Sequence, residues 1–222
     1  MKLLTGFLDV GGAGQVMTIT VHERDIPEGL TFGEAVAVDS ETLGLNPHRD
    51  RLCLVQLSAG DGNAHLVRIA TDPNGQVQAP RLRALMTSSA TTKIFHFGRF
   101  DMAVLYLRLG VMPAPIFCTK IASKLARTYT DRHGLKDLCR ELIGVELSKE
   151  QQSSDWGTGK LSPEQQTYAA ADVLYLHRLK AVLTAMLERE QRADLAQASL
   201  AYLPTRVRLD LAGWLEDDIF AH

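Results

Sequence analysis

The chain has 222 residues, with 24 Lys and Arg against 26 Asp and Glu, so its formal net charge of −2 does not mark it as a strongly basic nucleic-acid binder. Hydrophobic residues make up 45% and charged residues 23%, which excludes a disordered or collagen-like chain. The length fits a single domain over 17–222, preceded by a leader over 1–16 that we expect to be loosely ordered.

Several classes of protein are excluded by local features. Cys53, Cys118 and Cys139 are widely spaced and form no CxxC pair, which argues against a disulfide framework and favours the cytoplasm. The seven histidines include no i, i+4 pair, so the HExxH zinc motif is absent. Asp9 and the "GGAGQ" that follows do not fit a signal peptide, and no segment reaches the roughly 20 apolar residues of a membrane span. We therefore expect no membrane partner.

Strands are predicted in the first half of the chain and helices mainly in the second. Alternating or β-branched apolar runs between turn signals predict strands at 16–23, 35–41, 51–58, 64–69 and 92–97. Helical periodicity predicts helices at 79–86, 99–110, 119–128, 134–144, near 163–188, 192–203 and 205–217. This order predicts an α/β or α+β fold with one mixed sheet and a mostly helical C-terminal half.

The predicted helix near 163–188 has the clearest start signal in the sequence. Ser162 as N-cap, Pro163 at the first helical position and Gln165 at N3 make a capping box. An apolar stripe follows, consisting of Leu176, Leu179, Leu183 and Met186. Extending it backward in steps of four reaches Asp172 and then Tyr168, so a carboxylate is predicted on the core-facing side of the helix.

Two further acids end the predicted strand in "AVAVDSETLG". Strand alternation places Asp39 and Glu41 on one face, which they share with the small Ala35 and Ala37. Two carboxylates this close repel each other unless a cation lies between them, and oxygen ligands favour Mg²⁺ or Mn²⁺ over zinc. A polar strand end is the simpler alternative.

The fourth acid is Asp101, at the start of the predicted helix 99–110. Together the four carboxylates come from three segments, and that number suits two ions of the kind that cleave phosphodiesters. Two ordinary explanations stay open: Asp101 could be a first-turn acid that favours the helix dipole, and Tyr168 could be a core aromatic.

Three segments resemble the exonuclease motifs of the 3′–5′ exonuclease superfamily with four acidic ligands (DEDD): "VDSETLGL", "FHFGRFD" and "YAAADVLYL". The stretch from "GLKDLCRELIG" to "YAAADVLYLHRL" is similar to ribonuclease D in particular, and the resemblance covers roughly residues 18–190. It implies a ribonuclease-H-like fold and a two-metal 3′–5′ exoribonuclease. Such an enzyme releases nucleoside 5′-monophosphates from RNA 3′ ends during stable RNA processing or decay.

Carried over by position, the catalytic residues implied are Asp39, Glu41, Asp101, Tyr168 and Asp172. The four acids would be the metal ligands. Thr167 stands where one branch of the superfamily has His, so the chain resembles the tyrosine branch, in which we expect Tyr168 to orient the attacking water.

The substrate-binding residues implied by the resemblance are Thr42, Leu43, His96 and Phe100. Core packing is the alternative for Leu43 and Phe100, and a buried anchor is the expected role of Trp156. The family often has an Arg-Pro pair after "SDW"; here "GTGKLS" follows, with Lys160 as a substitute cation. Longer ribonuclease D proteins carry C-terminal helical RNA-binding domains, which we expect to be missing here.

The expected partner is a single-stranded or frayed RNA 3′ end. A 3′–5′ DNA exonuclease and a non-catalytic nucleic-acid-binding protein on the same fold are the alternatives, and a homodimer stays open.

Overall fold

The computed structural model describes residues 3–6, 17–71, 77–148 and 154–222. These residues form a seven-stranded sheet with helices on both faces. The strands are β1 (Leu3–Gly6), β2 (Met17–Glu23), β3 (Ala35–Thr42), β4 (Leu52–Ser58), β5 (Asn63–Arg68), β6 (Thr92–Phe95) and β7 (Ile116–Cys118). Their order across the sheet is β1-β2-β5-β4-β3-β6-β7. The pairs β2–β5, β3–β6 and β6–β7 are parallel and the others antiparallel, which confirms the mixed sheet and the ribonuclease-H-like class.

Two cores lie on opposite faces of the sheet. The helices are α1 (Pro80–Thr87), α2 (Arg99–Leu109), α3 (Thr119–Ala126), α4 (Leu135–Ile143), α5 (Pro163–Leu174), α6 (Leu176–Arg189) and α7 (Ala193–Leu211). Helices α1 and α2 pack on one face, helices α3 to α6 pack on the other, and α7 contributes to both cores. Each face of the central strands is therefore covered, as expected of interior strands in this class.

Strand β3 divides its side chains between the two cores. Val36 and Val38 are fully buried on the α2 side, whereas Ala37 is fully buried on the α5 side. Because β3, β6 and β7 run parallel, their C-terminal ends meet at one edge of the sheet. The acids that end β3 therefore lie at the same edge as the start of α2, which follows β6.

The prediction of a single helix near 163–188 is wrong. The chain forms α5 and α6 with a break at Tyr175, whose φ and ψ are −104° and −4°. α5 lies along β3, β4 and β5, whereas α6 packs on α3 and α4, so the chain bends to follow two surfaces. After the break Leu187 is buried and the predicted stripe member Met186 is only half-buried.

The two predicted terminal helices, 192–203 and 205–217, are in fact the single helix α7, which contains Pro204. Leu203 and Val207 are both buried in the core on the α2 side. The burial of these two side chains offsets the loss of the backbone hydrogen bond that proline cannot donate. The capping box at Ser162 is confirmed, and α2 ends in a left-handed C-cap at Gly110.

Residues 3–6 of the predicted leader form β1, which pairs with β2. Residues 1–2 and 7–16 of that leader lie outside the described residues. Strand β7, three residues long, was not predicted. In the described part of the chain, no helix is both long and apolar enough to span a membrane.

Candidate active site

Three of the four predicted acids meet beside β3. Carboxylate oxygens of Asp39, Glu41 and Asp172 all lie within 4.8 Å of one another. Asp39 and Glu41 come from alternate positions of β3, and Asp172 comes from α5, which packs on that face of the sheet. All three side chains are half-buried, so the group opens to solvent at one end.

Helix α5 fixes Asp172 and Tyr168 relative to each other. The Ser162 hydroxyl accepts a hydrogen bond from the Gln165 backbone, and the Gln165 side chain accepts one from the Ser162 backbone. This capping box sets where the helix begins. Tyr168 and Asp172 are then one turn apart, and both face the end of β3.

Asp101 reaches the site from the other face of the sheet. It lies in the first turn of α2, is only 5% exposed, and accepts a hydrogen bond of 2.5 Å from the Ser40 hydroxyl. Ser40 lies between Asp39 and Glu41 on β3 and therefore faces the opposite side. Asp101 is outside the three-residue group, yet its charge contributes to the raised pKa values of Asp39 and Asp172. It is thus more than a surface acid at a helix start.

The four carboxylates hold their protons unusually strongly. Burial raises the pKa of Asp39 well above its usual range, and the nearby Asp101, Asp172 and Glu41 raise it further. Burial and the charges of Asp172 and Asp101 raise the pKa of Glu41 to about 9. Burial raises the pKa values of Asp101 and Asp172 to about 7. A bound cation would allow these groups to be ionised together.

The donor set of this group fits a hard divalent ion. Its oxygens come from carboxylates, and the described residues place no His or Cys among them. Such all-oxygen sites suit Mg²⁺ or Mn²⁺ and disfavour zinc. The acids Asp39, Glu41, Asp101 and Asp172 could therefore hold the ions that the resemblance implies.

Tyr168 lies beside the acids with its proton firmly held. Burial raises the pKa of its phenol, and the charges of Asp172, Glu41 and Asp39 raise it further. The Trp156 ring lies 6.0 Å from the Tyr168 ring, centroid to centroid, and Trp156 is buried, as expected for an anchor. Tyr168 can therefore donate a hydrogen bond near the acids, whereas it is a poor base.

Of the predicted substrate-binding residues, Leu43 is the most exposed. Its side chain is 52% exposed, and an added Cβ on Gly157 would lie 2.8 Å from its Cδ2. Leu43 therefore rests against the Gly157 backbone at the rim of the site. The hydroxyl of the neighbouring Thr42 donates to the Gly44 carbonyl, inside its own turn.

His96 and Phe100 lie on the segment between β6 and Asp101. The Nδ1 atom of His96 is 2.9 Å from the Thr119 hydroxyl, and burial lowers the pKa of His96 to about 3, with a smaller contribution from Lys120. Its imidazole is therefore neutral at physiological pH. Phe100 is half-buried against the core on the α2 side, the packing position considered as its alternative.

Three residues of this region were not identified from the sequence: two contact the acids, and the third, Phe97, precedes Asp101 by four positions. Ser40 holds Asp101, and Gln56 on β4 donates from Nε2 to Oδ2 of Asp39 at 3.3 Å. Phe97 is 46% exposed at a positive φ of 62°, with Lys120 Nζ 4.0 Å from its ring centroid. The signal for Gln56 was a lone amide in the apolar run "LCLVQLS"; Phe97 carries no comparable signal, because its backbone angle follows from the tertiary fold.

A family model described as 3′-5′ exonuclease matches residues 16–188. Among curated proteins, ribonuclease D of Gluconacetobacter diazotrophicus is 33% identical over 188 residues, which are 85% of this chain and 47% of that protein. The chain spans about half the length of the curated relatives it matches.

Two similar solved structures are of NrnC from Brucella melitensis. The structure bound to pGG has a TM-score of 0.88 and 59% identity, and the match covers 93% of this chain and 99% of that one. The structure with bound Mg²⁺ has a TM-score of 0.86 and 58% identity, and covers 92% and 98%.

Proposed function

Because this chain belongs to the 3′–5′ exonuclease family, we propose that it is a two-metal exoribonuclease that releases nucleoside 5′-monophosphates from RNA 3′ ends. One observation carries this proposal: carboxylate oxygens from β3 and α5 converge within 4.8 Å, beside the buried Asp101. Carboxylates this close repel one another when no cation is present. With divalent ions bound, the same group can promote cleavage of a phosphodiester.

The proposed cofactors are two Mg²⁺ or Mn²⁺ ions. When bound, such ions activate water and neutralise the charge that develops on a phosphodiester. Asp39, Glu41, Asp101 and Asp172 would hold them. A relative of 58% identity has been solved with Mg²⁺, which supports the choice of ion.

Tyr168 would orient the attacking water. Its raised pKa keeps the proton on Oη, so the phenol donates a hydrogen bond and does not act as the general base. The neighbouring Trp156 ring restricts the position of the phenol. Orientation by one hydrogen bond is a rate effect on the chemical step.

We further propose that the substrates include very short RNA, down to a dinucleotide. A relative that is 59% identical over nearly its whole length was solved with pGG bound. The negative net charge of this chain also offers little general attraction for a long polyanion. Leu43, which is exposed at the rim, would contact a terminal base.

A time course on 5′-labelled RNA tests the proposal. RNAs of two, five and about twenty nucleotides, with matched DNA strands, are incubated with Mg²⁺, with Mn²⁺ or with EDTA. We expect metal-dependent release of mononucleotides from the 3′ end, with the dinucleotide cleaved efficiently. Preferential digestion of DNA would replace the RNA assignment. Absence of hydrolysis under every metal condition would overturn the enzyme itself.

A further inference from the structure

Gln56 is a buried polar side chain on an otherwise apolar strand. It lies on β4 directly opposite Asp39 of β3, and it is 0% exposed. Its strand neighbours Val55 and Leu57 are fully buried in the core on the α2 side, so Gln56 faces α5 and the acids.

Of the two polar atoms in the Gln56 amide, only the nitrogen has a hydrogen-bond partner, and that partner is Asp39. Nε2 of Gln56 donates to Oδ2 of Asp39 at 3.3 Å, whereas Oε1 has no hydrogen-bond partner among the described residues. A buried carbonyl without a partner costs stability, and an apolar side chain of the same volume would avoid that cost. The packing of the core therefore does not explain an amide at this position.

The orientation of the amide has a consequence for Asp39. When Asp39 is ionised, as it must be to bind a metal ion, exchanging the nitrogen and oxygen of the amide would place an acceptor against a carboxylate oxygen, so only the observed orientation offers a donor. The hydrogen bond to Oδ2 limits the rotation of the Asp39 carboxylate. Residues that hold a ligand in this way tune metal affinity without touching the metal.

We propose that Gln56 is a positioning residue that orients the Asp39 carboxylate for metal binding. This inference rests on the proposed metal site. If Gln56 has this role, replacing it changes the affinity for metal; replacing a residue with a purely structural role would not.

The test compares Gln56→Met with Gln166→Met. Both glutamines are buried, but Gln166 donates to the Leu161 backbone carbonyl at 3.1 Å, away from the acids. Mn²⁺ binding is measured by electron paramagnetic resonance titration, and Tm is measured in EDTA. For Gln56→Met we expect a Kd for Mn²⁺ raised about 10- to 100-fold, with a metal-free Tm equal to or above that of the wild type. For Gln166→Met we expect a lower Tm and an unchanged Kd.

Two results would overturn the inference. Wild-type Mn²⁺ affinity in Gln56→Met would show that Gln56 does not position Asp39, while the metal site itself would stand. If the wild-type protein binds no Mn²⁺, both the metal site and the role of Gln56 fall. If Gln56→Met fails to fold, Gln56→Asn is the second variant, because its amide is one methylene too short to reach Asp39. We expect Gln56→Asn to weaken Mn²⁺ binding as well. Unchanged affinity in this variant would contradict the proposal.

Discussion

Ser40 donates its hydroxyl hydrogen to Oδ1 of Asp101 at 2.5 Å, which joins β3 to α2 on the face of the sheet opposite Asp39 and Glu41. Ser40→Ala would leave a buried carboxylate without this donor, at a cost of about 1–3 kcal/mol. We expect the free energy of unfolding in urea to fall by that amount and activity to fall with it. Ser40→Thr retains a hydroxyl and serves as the control; equal loss in both variants would argue against the hydrogen bond.

Asp172→Asn should abolish hydrolysis while the fold persists. Asp172 lies within 4.8 Å of two other acids, so the variant loses a proposed metal ligand and a repulsive charge together. We expect a loss of several orders of magnitude in kcat, with a metal-free Tm no lower than that of the wild type. Asp194→Asn, on an exposed position of α7, is the matched control. Full activity in Asp172→Asn would rule out the metal assignment.

Tyr168→Phe should slow the chemical step about 100-fold or more. The phenol pKa is raised, so the hydroxyl acts as a donor across the whole working range of pH. The pH–rate profile of the variant should therefore keep the wild-type shape at a lower level. A change of shape below pH 9 would assign proton transfer to Tyr168, and an unchanged rate would remove its role in orienting water.

The metal-free protein should lose stability as pH rises. The folded-state pKa values of Asp101 and Asp172 are raised to about 7 and that of Glu41 to about 9. Carboxyls with raised pKa values stabilise the fold fully below their unfolded pKa of about 4, and the contribution is lost as pH rises through the folded values. We therefore expect Tm in EDTA to decline from about pH 5 to about pH 9.

Mg²⁺ should reverse this decline, because the ion binds the deprotonated carboxylates. Glu41→Gln removes the carboxyl whose pKa is raised to about 9 and should flatten the upper part of the curve in EDTA. A Tm that rises with pH in EDTA, or that responds equally to Mg²⁺ at both ends of the range, would contradict the explanation.

Gly157→Ala should displace Leu43 from the rim. The added Cβ would lie 2.8 Å from Leu43 Cδ2, closer than such contacts permit. We expect a several-fold higher KM for short RNA with little change in kcat. Gly159→Ala, where nothing lies within 4 Å, is the control in the same loop. In a Leu43→Ala background the effect of Gly157→Ala should vanish; an effect of the same size there would locate its cause elsewhere.

The parts of the site that the sequence predicted depend on local periodicity. Alternation along β3 places Asp39 and Glu41 on one face, and the helical repeat places Tyr168 one turn from Asp172. Both relationships are independent of the tertiary structure. The contacts that went unpredicted join distant segments: Ser40 and Asp101 are 61 positions apart, and Gln56 and Asp39 are 17 apart. These contacts require the order of the strands and the side of the sheet on which α2 lies.

The errors in the helices have the same origin. Tyr175 and Pro204 show that packing outweighs local preference in both directions. At Tyr175 a continuous helical pattern is broken because its two halves cover different surfaces. At Pro204 a residue that usually ends helices is accommodated between Leu203 and Val207, both buried.

Strand β3 serves both halves of the site, with acids on one face and the hydroxyl that holds Asp101 on the other. A slip of one residue in its pairing would exchange the two faces, turning Ser40 toward α5 and the acids toward α2. A strand slipped by one residue would retain none of this arrangement. Hydrolytic activity therefore reports on the alignment of the central strand, and molecules mispaired there would be inactive even when they are compact.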